Sequence, residues 1–335
     1  MGKGHIAVNK YMSDKARFAD LVNGKLFGGE QVVLPEELEK VDGESEILLE
    51  DKNQKTIGRT RYRDVVMRWK RGADFCFIGC ENQSEIHHAM PVRNMLYDSL
   101  SYTNQIAELW KSHNKGRGEG LEPAEYLSHF RKGDKIYPVV TLVFYYGSDP
   151  WTGNCDLYSM FQLSGMSKEK LARCVPNYWI NLVDAGHMED ISYFQTDLQK
   201  IMGMLKCKNK GDDLQKYMEK NKAFFEHLDY NTSQAIGEFL QSEQLRKMTK
   251  RDNGKGERNM CKAIEEIYQN GIKTGEARGE ARGEVRGEVR GEQKGLVEVY
   301  QEFGKSREET IERFAVKFQV NREEAEEKVN EYWKD

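Results

Sequence analysis

Asp64, Glu81 and Gln83 are the residues whose types and spacing could carry chemistry. Two carboxylates, both ionised at neutral pH, offer the hard oxygen ligands that a divalent cation such as Mg²⁺ takes. Phosphodiester hydrolysis needs such an ion to neutralise the nonbridging oxygens and to lower the pKa of an attacking water. Gln83 stands two residues past Glu81, so on a strand both side chains point to one side. A lysine there would place positive charge beside the developing negative charge. A glutamine can only hold a water or a phosphate oxygen by hydrogen bonds. The surroundings are basic: from Lys52 to Arg71 there are eight basic residues and one acid, Asp64. A lone acid in a basic stretch suits a metal site that must receive a phosphate backbone, with Arg61, Arg63 and Lys70 as phosphate contacts. By itself, Asp followed seventeen residues later by Glu-x-Gln is a weak motif. Its bland reading is a turn acid and a solvated strand end.

The elements that must hold these residues follow from periodicity. Asp64 opens a strand, DVVMRWK, and Arg71-Gly72 makes a tight turn. The second strand, DFCFIGCENQ, is apolar almost throughout and so expected to be buried on both faces. Paired as a hairpin, the two bring Asp64 and Glu81 to one end of the sheet. Met90 to Lys111 reads as a helix with Pro91 in its first turn. It carries Arg93 and Tyr97 four apart on one face. Arg93 then pairs either with a phosphate or with Glu81, or else is buried in a structural pair. Tyr137 to Tyr146 is the best strand by composition, and Tyr178 to Val183 is another. An earlier helix, Ser13 to Phe27 with Ser13 as cap, carries Asp20, either a further metal ligand or a surface or capping residue. Helices are expected at 191–206, 214–228 and 232–248, the last capped by Thr232. This order gives an α/β fold with a mixed sheet. His87 and His88 beside the site are either general bases or loop residues, and Lys206, Lys208 and Lys210 either touch phosphates or form a solvated charge run.

Composition bounds the rest. The 335 residues, 38% hydrophobic with 14 Phe, 16 Tyr and 5 Trp, suffice for one large domain plus an appendage. A formal net charge of −4 neither demands nor forbids a nucleic-acid partner. Six scattered cysteines without a CxxC pair suggest neither a disulfide framework nor a zinc site, and fit a reducing cytoplasm. No run approaches membrane-spanning length. No RRM, KH or zinc-finger pattern points to RNA or to base readout.

Residues 1–250 read as one domain, 251–294 as a linker and 295–335 as a small helical tail. The linker carries a tetrapeptide repeat from Gly275: GEAR, GEAR, GEVR, GEVR, GEQK. On a helix, a four-residue period stacks Glu over Glu and Arg over Arg, which destabilises it, and each glycine costs about 1 kcal/mol relative to alanine. A flexible solvated linker is therefore favoured. The alternative is a rod in which the glycine stripe lets helices of several copies approach and Glu rows face Arg rows, making the chain a homo-oligomer. The tail carries two capping boxes, Ser306 with Glu309 and Asn321 with Glu324.

The stretches RYRDVVMRW, ENQS, MPVR, LYD and YYGSDPW, taken together, carry a resemblance. From about Tyr11 to Met248 the chain resembles the recombination-promoting nuclease family, often labelled transposases, within the PD-(D/E)xK nuclease superfamily. The resemblance implies a restriction-endonuclease-like αβββαβ core and Mg²⁺-dependent cleavage of DNA. It places the strand acid on Asp64, the second carboxylate on Glu81 and the third position on Gln83, where the superfamily usually has lysine and this family commonly glutamine. Two readings follow: a metal-dependent DNA endonuclease linked to recombination or mobile elements, or a DNA-binding or interaction protein that keeps the fold without useful turnover.

Overall fold

The apolar run FCFIGC becomes the middle of a five-stranded sheet. The computed structural model describes residues 3–41, 44–50, 56–71, 74–114, 122–162, 167–250 and 257–334, without the side chains of 3–5, 44–50, 56–62, 74–75, 114, 168–169 and 250. Seven strands occur among them: β1 (Leu38–Lys40), β2 (Glu44–Glu50), β3 (Thr56–Tyr62), β4 (Val65–Arg71), β5 (Asp74–Gln83), β6 (Val139–Tyr145) and β7 (Asn181–Asp184). The main sheet has the order β1-β4-β5-β6-β7, while β2 and β3 pair only with each other. β1, β4 and β5 are antiparallel neighbours, and β5, β6 and β7 run parallel. The sheet is mixed, as the sequence expects, and β4 pairs with β5 as a hairpin with Val65 opposite Cys80.

Helices α1 (Lys3–Met12) and α2 (Lys15–Leu26) precede the sheet, and α3 (Met90–Asn114) joins β5 to β6. The short α4 (Pro123–Ser128) and α5 (Lys168–Leu171) follow, then α6 (Leu198–Cys207), α7 (Gly211–Lys220), α8 (Lys222–Phe225), α9 (Tyr230–Phe239) and α10 (Glu243–Lys250). The core is aromatic: Tyr11, Phe18, Phe144, Phe194, Phe225 and Phe239 are all fully buried. On one side of the sheet Phe144 packs against Phe239 of α9, which also meets Tyr11 of α1. On the other side Met90 of α3 packs with Val143 and Ile180.

Several helices break where the sequence expects continuity. The expected helix from Ser13 is α2, but Asp14 rather than Ser13 caps it by accepting from the Arg17 N–H; the Ser13 hydroxyl donates back to the Asn9 carbonyl of α1, a helix the sequence does not announce. Asp229 caps α9, which leaves Thr232 buried inside the first turn. Gln241, in the left-handed region at φ 53°, separates α9 from α10.

Contacts group the chain into two compact units, Met1–Glu265 and Glu266–Asp335, whereas the sequence divides it at 250 and 294. The repeat, expected to be flexible, instead lies within one helix, α11 (Met260–Glu302); residues 251–256 of the expected linker lie outside the described residues. Residues 268–292 of it are exposed throughout. Good helix formers flank the repeat on both sides, and a helix already nucleated extends more cheaply than it starts. In the second unit the C-terminal end of α11 packs with α12 (Arg307–Phe318) and α13 (Arg322–Tyr332) around Leu296, Val297, Ile311, Phe314, Ala325 and Val329. Ser306 forms the expected capping box with Glu309, and Asn321 caps α13 by accepting from the Glu324 N–H. Among the described residues no helix is long and apolar enough to cross a membrane.

Candidate active site

β4 and β5 bring two of the three motif residues together. Asp64 lies one residue before β4, and its Oδ2 accepts the Asn82 backbone N–H at 2.8 Å. Its Oδ1 accepts from Asn9 Nδ2 at 3.2 Å, and Asn9 Oδ1 in turn accepts from Asn82 Nδ2 at 2.9 Å. Asn9 on α1 and Asn82 on β5 thus fix the rotamer of Asp64. Alternation along β5 turns Asn82 toward α1, and Glu81 and Gln83 toward α3. Glu81 is wholly buried and Gln83 nearly so.

The Glu81 carboxylate is only half satisfied. Its Oε2 accepts from Arg93 Nη2 at 3.1 Å, while Oε1 is buried and has no hydrogen-bond partner among the described residues. Burial first, and then the charge of neighbouring Asp64, push the Glu81 carboxyl up to about 8 against the pull of Arg93 and Arg63. Tyr97, one turn along α3, has the Arg93 guanidinium 5.6 Å and the Arg63 guanidinium 5.4 Å from its ring centre. Arg93 keeps a third of its side chain exposed, so it reaches both Glu81 and solvent. Arg63 is 7% exposed and bound to Asp98 of α3, its Nη2 donating to Oδ1 at 2.5 Å.

A hard divalent cation suits this arrangement, because it would take up the orphaned Glu81 oxygen and relieve the repulsion from Asp64. Among the described residues no group of three or more His, Cys, Asp or Glu side chains is placed to hold a metal. Among the described residues, Asp64 and Glu81 are the carboxylates that could hold such an ion here, with the Gln83 amide as a neutral oxygen donor.

Comparison with known proteins decides the family. The model of a family described as Putative transposase, YhgA-like matches residues 31–236, well over half of the chain. The chain belongs to this family. No curated protein and no solved structure matches it. The matched stretch in this YhgA-like chain holds Asp64, Glu81, Gln83, Arg93 and Tyr97, but Asn9 lies before it.

The other residues expected from sequence are scattered. Asp20 is 2% exposed and accepts from the Gln195 and Thr196 backbone N–H groups and the Thr196 hydroxyl at 2.5–3.0 Å. Those bonds tie α2 to the chain entering α6, and they correct the surface reading of this acid. Lys70 sits six residues along β4 from Asp64, roughly 20 Å at the usual strand rise, and pairs with Glu39. Arg61 is on β3, and its side chain lies outside the described residues. Burial first, and then the Arg93 charge, lower the His87 imidazole below its ordinary range. Lys208 is not a solvated charge: its ammonium donates to the Tyr146 carbonyl at 2.5 Å. Asn9, Asn82 and Asp98 are the residues that sequence reasoning missed. They act across 55, 18 and 35 positions of sequence, and only the pairing of β4 with β5 and the packing of helices on it brings them near.

Proposed function

We propose that the chain is a divalent-metal-dependent DNA endonuclease of the PD-(D/E)xK type. The reading takes α2, β1, β4, β5, α3 and β6 as its αβββαβ core, with β2–β3 as an insertion. The observation that carries it is the Glu81 Oε1 atom: a buried carboxylate oxygen without a partner, beside a second carboxylate, at the C-terminal end of a parallel strand. Ligand sites of α/β sheets lie at that end.

When bound between Asp64 and Glu81, Mg²⁺ would neutralise phosphate oxygens and acidify a water. Asp64, held by Asn9 and Asn82, and Glu81, held by Arg93, are its protein ligands. Arg93 keeps solvent-facing N–H groups that can receive a nonbridging phosphate oxygen as a charge-assisted pair. Gln83 brings neither charge nor basicity, so its share is to orient a water or a phosphate oxygen by its amide. Gln83 supplies neither the positive charge of a lysine nor a base, so the reaction depends strongly on the ion. The neutral Gln83 also supports the second reading, a DNA-binding relative that keeps the fold without turnover.

Nicking of supercoiled plasmid with and without Mg²⁺ tests the proposal. Wild type is expected to nick only with the ion. Asp64→Ala is expected to lower the rate by roughly 10²-fold or more, the scale seen when one electrostatic group of an active site is removed. An Asp64→Ala protein that cuts as well as wild type refutes the site. Wild type and variant both shifting DNA without cutting it establishes the second reading.

A further inference from the structure

Asp98 ends the LYD stretch and has no part in the site described so far, yet it is tightly held on the α3 side of the sheet. It is 8% exposed. Its Oδ1 accepts from Arg63 Nη2 at 2.5 Å and from the Thr141 hydroxyl at 2.6 Å, and its Oδ2 accepts from the Tyr178 hydroxyl at 2.6 Å. Residues from the β3–β4 junction, from β6 and from the segment before β7 thus converge on one α3 carboxylate.

What this clamp restrains is Arg63. The guanidinium lies against β5 at Gly79, where an added Cβ would come within 2.6 Å of Nη1. That Nη1 is buried and has no hydrogen-bond partner among the described residues. Gly79 and Glu81 are next neighbours on the same face of β5, roughly 7 Å apart at the usual strand rise. Glu81 has its own unpartnered buried oxygen on that face, and the Arg63 charge is felt there. A buried guanidinium with a spare N–H and a buried carboxylate with a spare oxygen would ordinarily close on each other, since paired Arg–carboxylate contacts are among the strongest hydrogen bonds available. Here the Arg63 side chain is drawn the other way.

We propose that Asp98 is a counter-ion that holds Arg63 off Glu81 and so keeps the Glu81 oxygen open for a divalent cation. Asp98 is then a positioning residue acting through Arg63, and the inference rests on reading Glu81 as a cation ligand. Gly79 serves the same device, because a side chain there would displace Arg63 from its berth. Without the carboxylate, Arg63 swings to Glu81 and occupies the place of the ion. Removing the guanidinium as well should reopen it.

The test is Mn²⁺ titration of the full chain, with free ion read by its paramagnetic resonance signal, on wild type, Asp98→Asn and the double variant Asp98→Asn/Arg63→Gln. Asparagine keeps the shape and can still accept from Tyr178. The expected result is a loss of Mn²⁺ affinity of at least about tenfold in Asp98→Asn, with the double variant returning to within about threefold of wild type. A structural role would leave both variants weak or neither. Unchanged affinity in Asp98→Asn, or no recovery in the double variant, overturns the proposal. Should Asp98→Asn fail to fold, Tyr178→Phe loosens the same clamp more gently, and its smaller loss must likewise vanish when Arg63→Gln is added. If wild type itself does not bind Mn²⁺, the assignment of Glu81 falls and this inference with it. Wild-type binding with an indifferent Asp98→Asn removes this inference alone.

Discussion

Glu81 combines a buried charge site with a single partner, and that sets a pH dependence. Its folded-state pKa of about 8 lies above the ordinary value of 4.5, because burial and then Asp64 disfavour the ionised form. Between those two values the unfolded chain has released the Glu81 proton while the folded chain keeps it. Without a cation, stability must therefore fall as pH rises through that window. Glu81→Gln removes the dependence, so its stability advantage over wild type should grow from pH 5 to pH 8. The slope is on the order of 1.4 kcal/mol for each pH step of one across that window. On the proposed function Mg²⁺ would bind the ionised form, and it should then stabilise wild type more at pH 8 than at pH 5, and Glu81→Gln hardly at all. Urea unfolding at the two pH values, with and without the ion, checks both, and parallel curves for the two proteins would refute the assignment. Asn9 makes a neighbouring case. Asn9→Ala strips Asp64 Oδ1 of its donor and leaves the buried Asn82 amide without an acceptor. A cost of about 1–3 kcal/mol is expected for such orphaned groups. Loss of nicking beyond what the remaining folded fraction explains would show that the rotamer of Asp64 matters.

The strands were legible because their signals are local. Alternation and β-branched runs placed β4, β5 and β6 within a few residues, and the acid at the head of one strand with the Glu-x-Gln at the end of the next fixed the Asp64–Glu81 pair. Helix ends were less legible, because a break needs one residue whose conformation the sequence does not advertise. Asn221 and Gln241 each end a helix that periodicity alone would continue. Gln319 is another such residue: it ends α12 at φ 53°, exposed and without a side-chain role in capping. Glycine adopts this conformation without steric cost, so Gln319→Gly should stabilise residues 266–335 by roughly 1 kcal/mol, read as a higher melting temperature. The repeat is legible in a different way. Its charges and glycines oppose helix, and the flanking segments impose one. An alanine Cβ at Gly275, Gly279, Gly283, Gly287 or Gly291 would meet nothing within 4 Å. Replacing all five should raise helicity by circular dichroism, at about 0.8–1.0 kcal/mol per site. An unchanged spectrum would mean that packing already holds this segment as helix.

At the scale of the whole molecule, the family match and the folding unit have different boundaries. The match covers residues 31–236, whereas the first compact unit runs from Met1 to Glu265. The difference has structural weight: Val8, Tyr11, Met12, Phe18, Leu21 and Val22, all from the unmatched beginning, are fully buried. Tyr11 meets the Phe239 ring edge-on at 5.6 Å, so both ends of the unit lie outside the match and pack against each other. Arg17 of α2 donates to Asp197 through Nε and Nη2, both at 2.8 Å. A fragment limited to residues 31–236 would expose the sheet face that α1 and the end of α9 cover, and it would lose Asn9 from the site. Six fully buried apolar side chains removed, at about 1.5–3 kcal/mol each, exceed the 5–15 kcal/mol stability of an ordinary domain at the upper end and consume most of it at the lower. That fragment is expected to be unfolded or aggregated by circular dichroism and size-exclusion chromatography. Residues 1–265 keep the whole first unit and should unfold cooperatively in urea, with Mn²⁺ affinity like that of the full chain. Should 1–265 lose the ion while remaining folded, the second unit contributes to the site and the two units are not functionally separable.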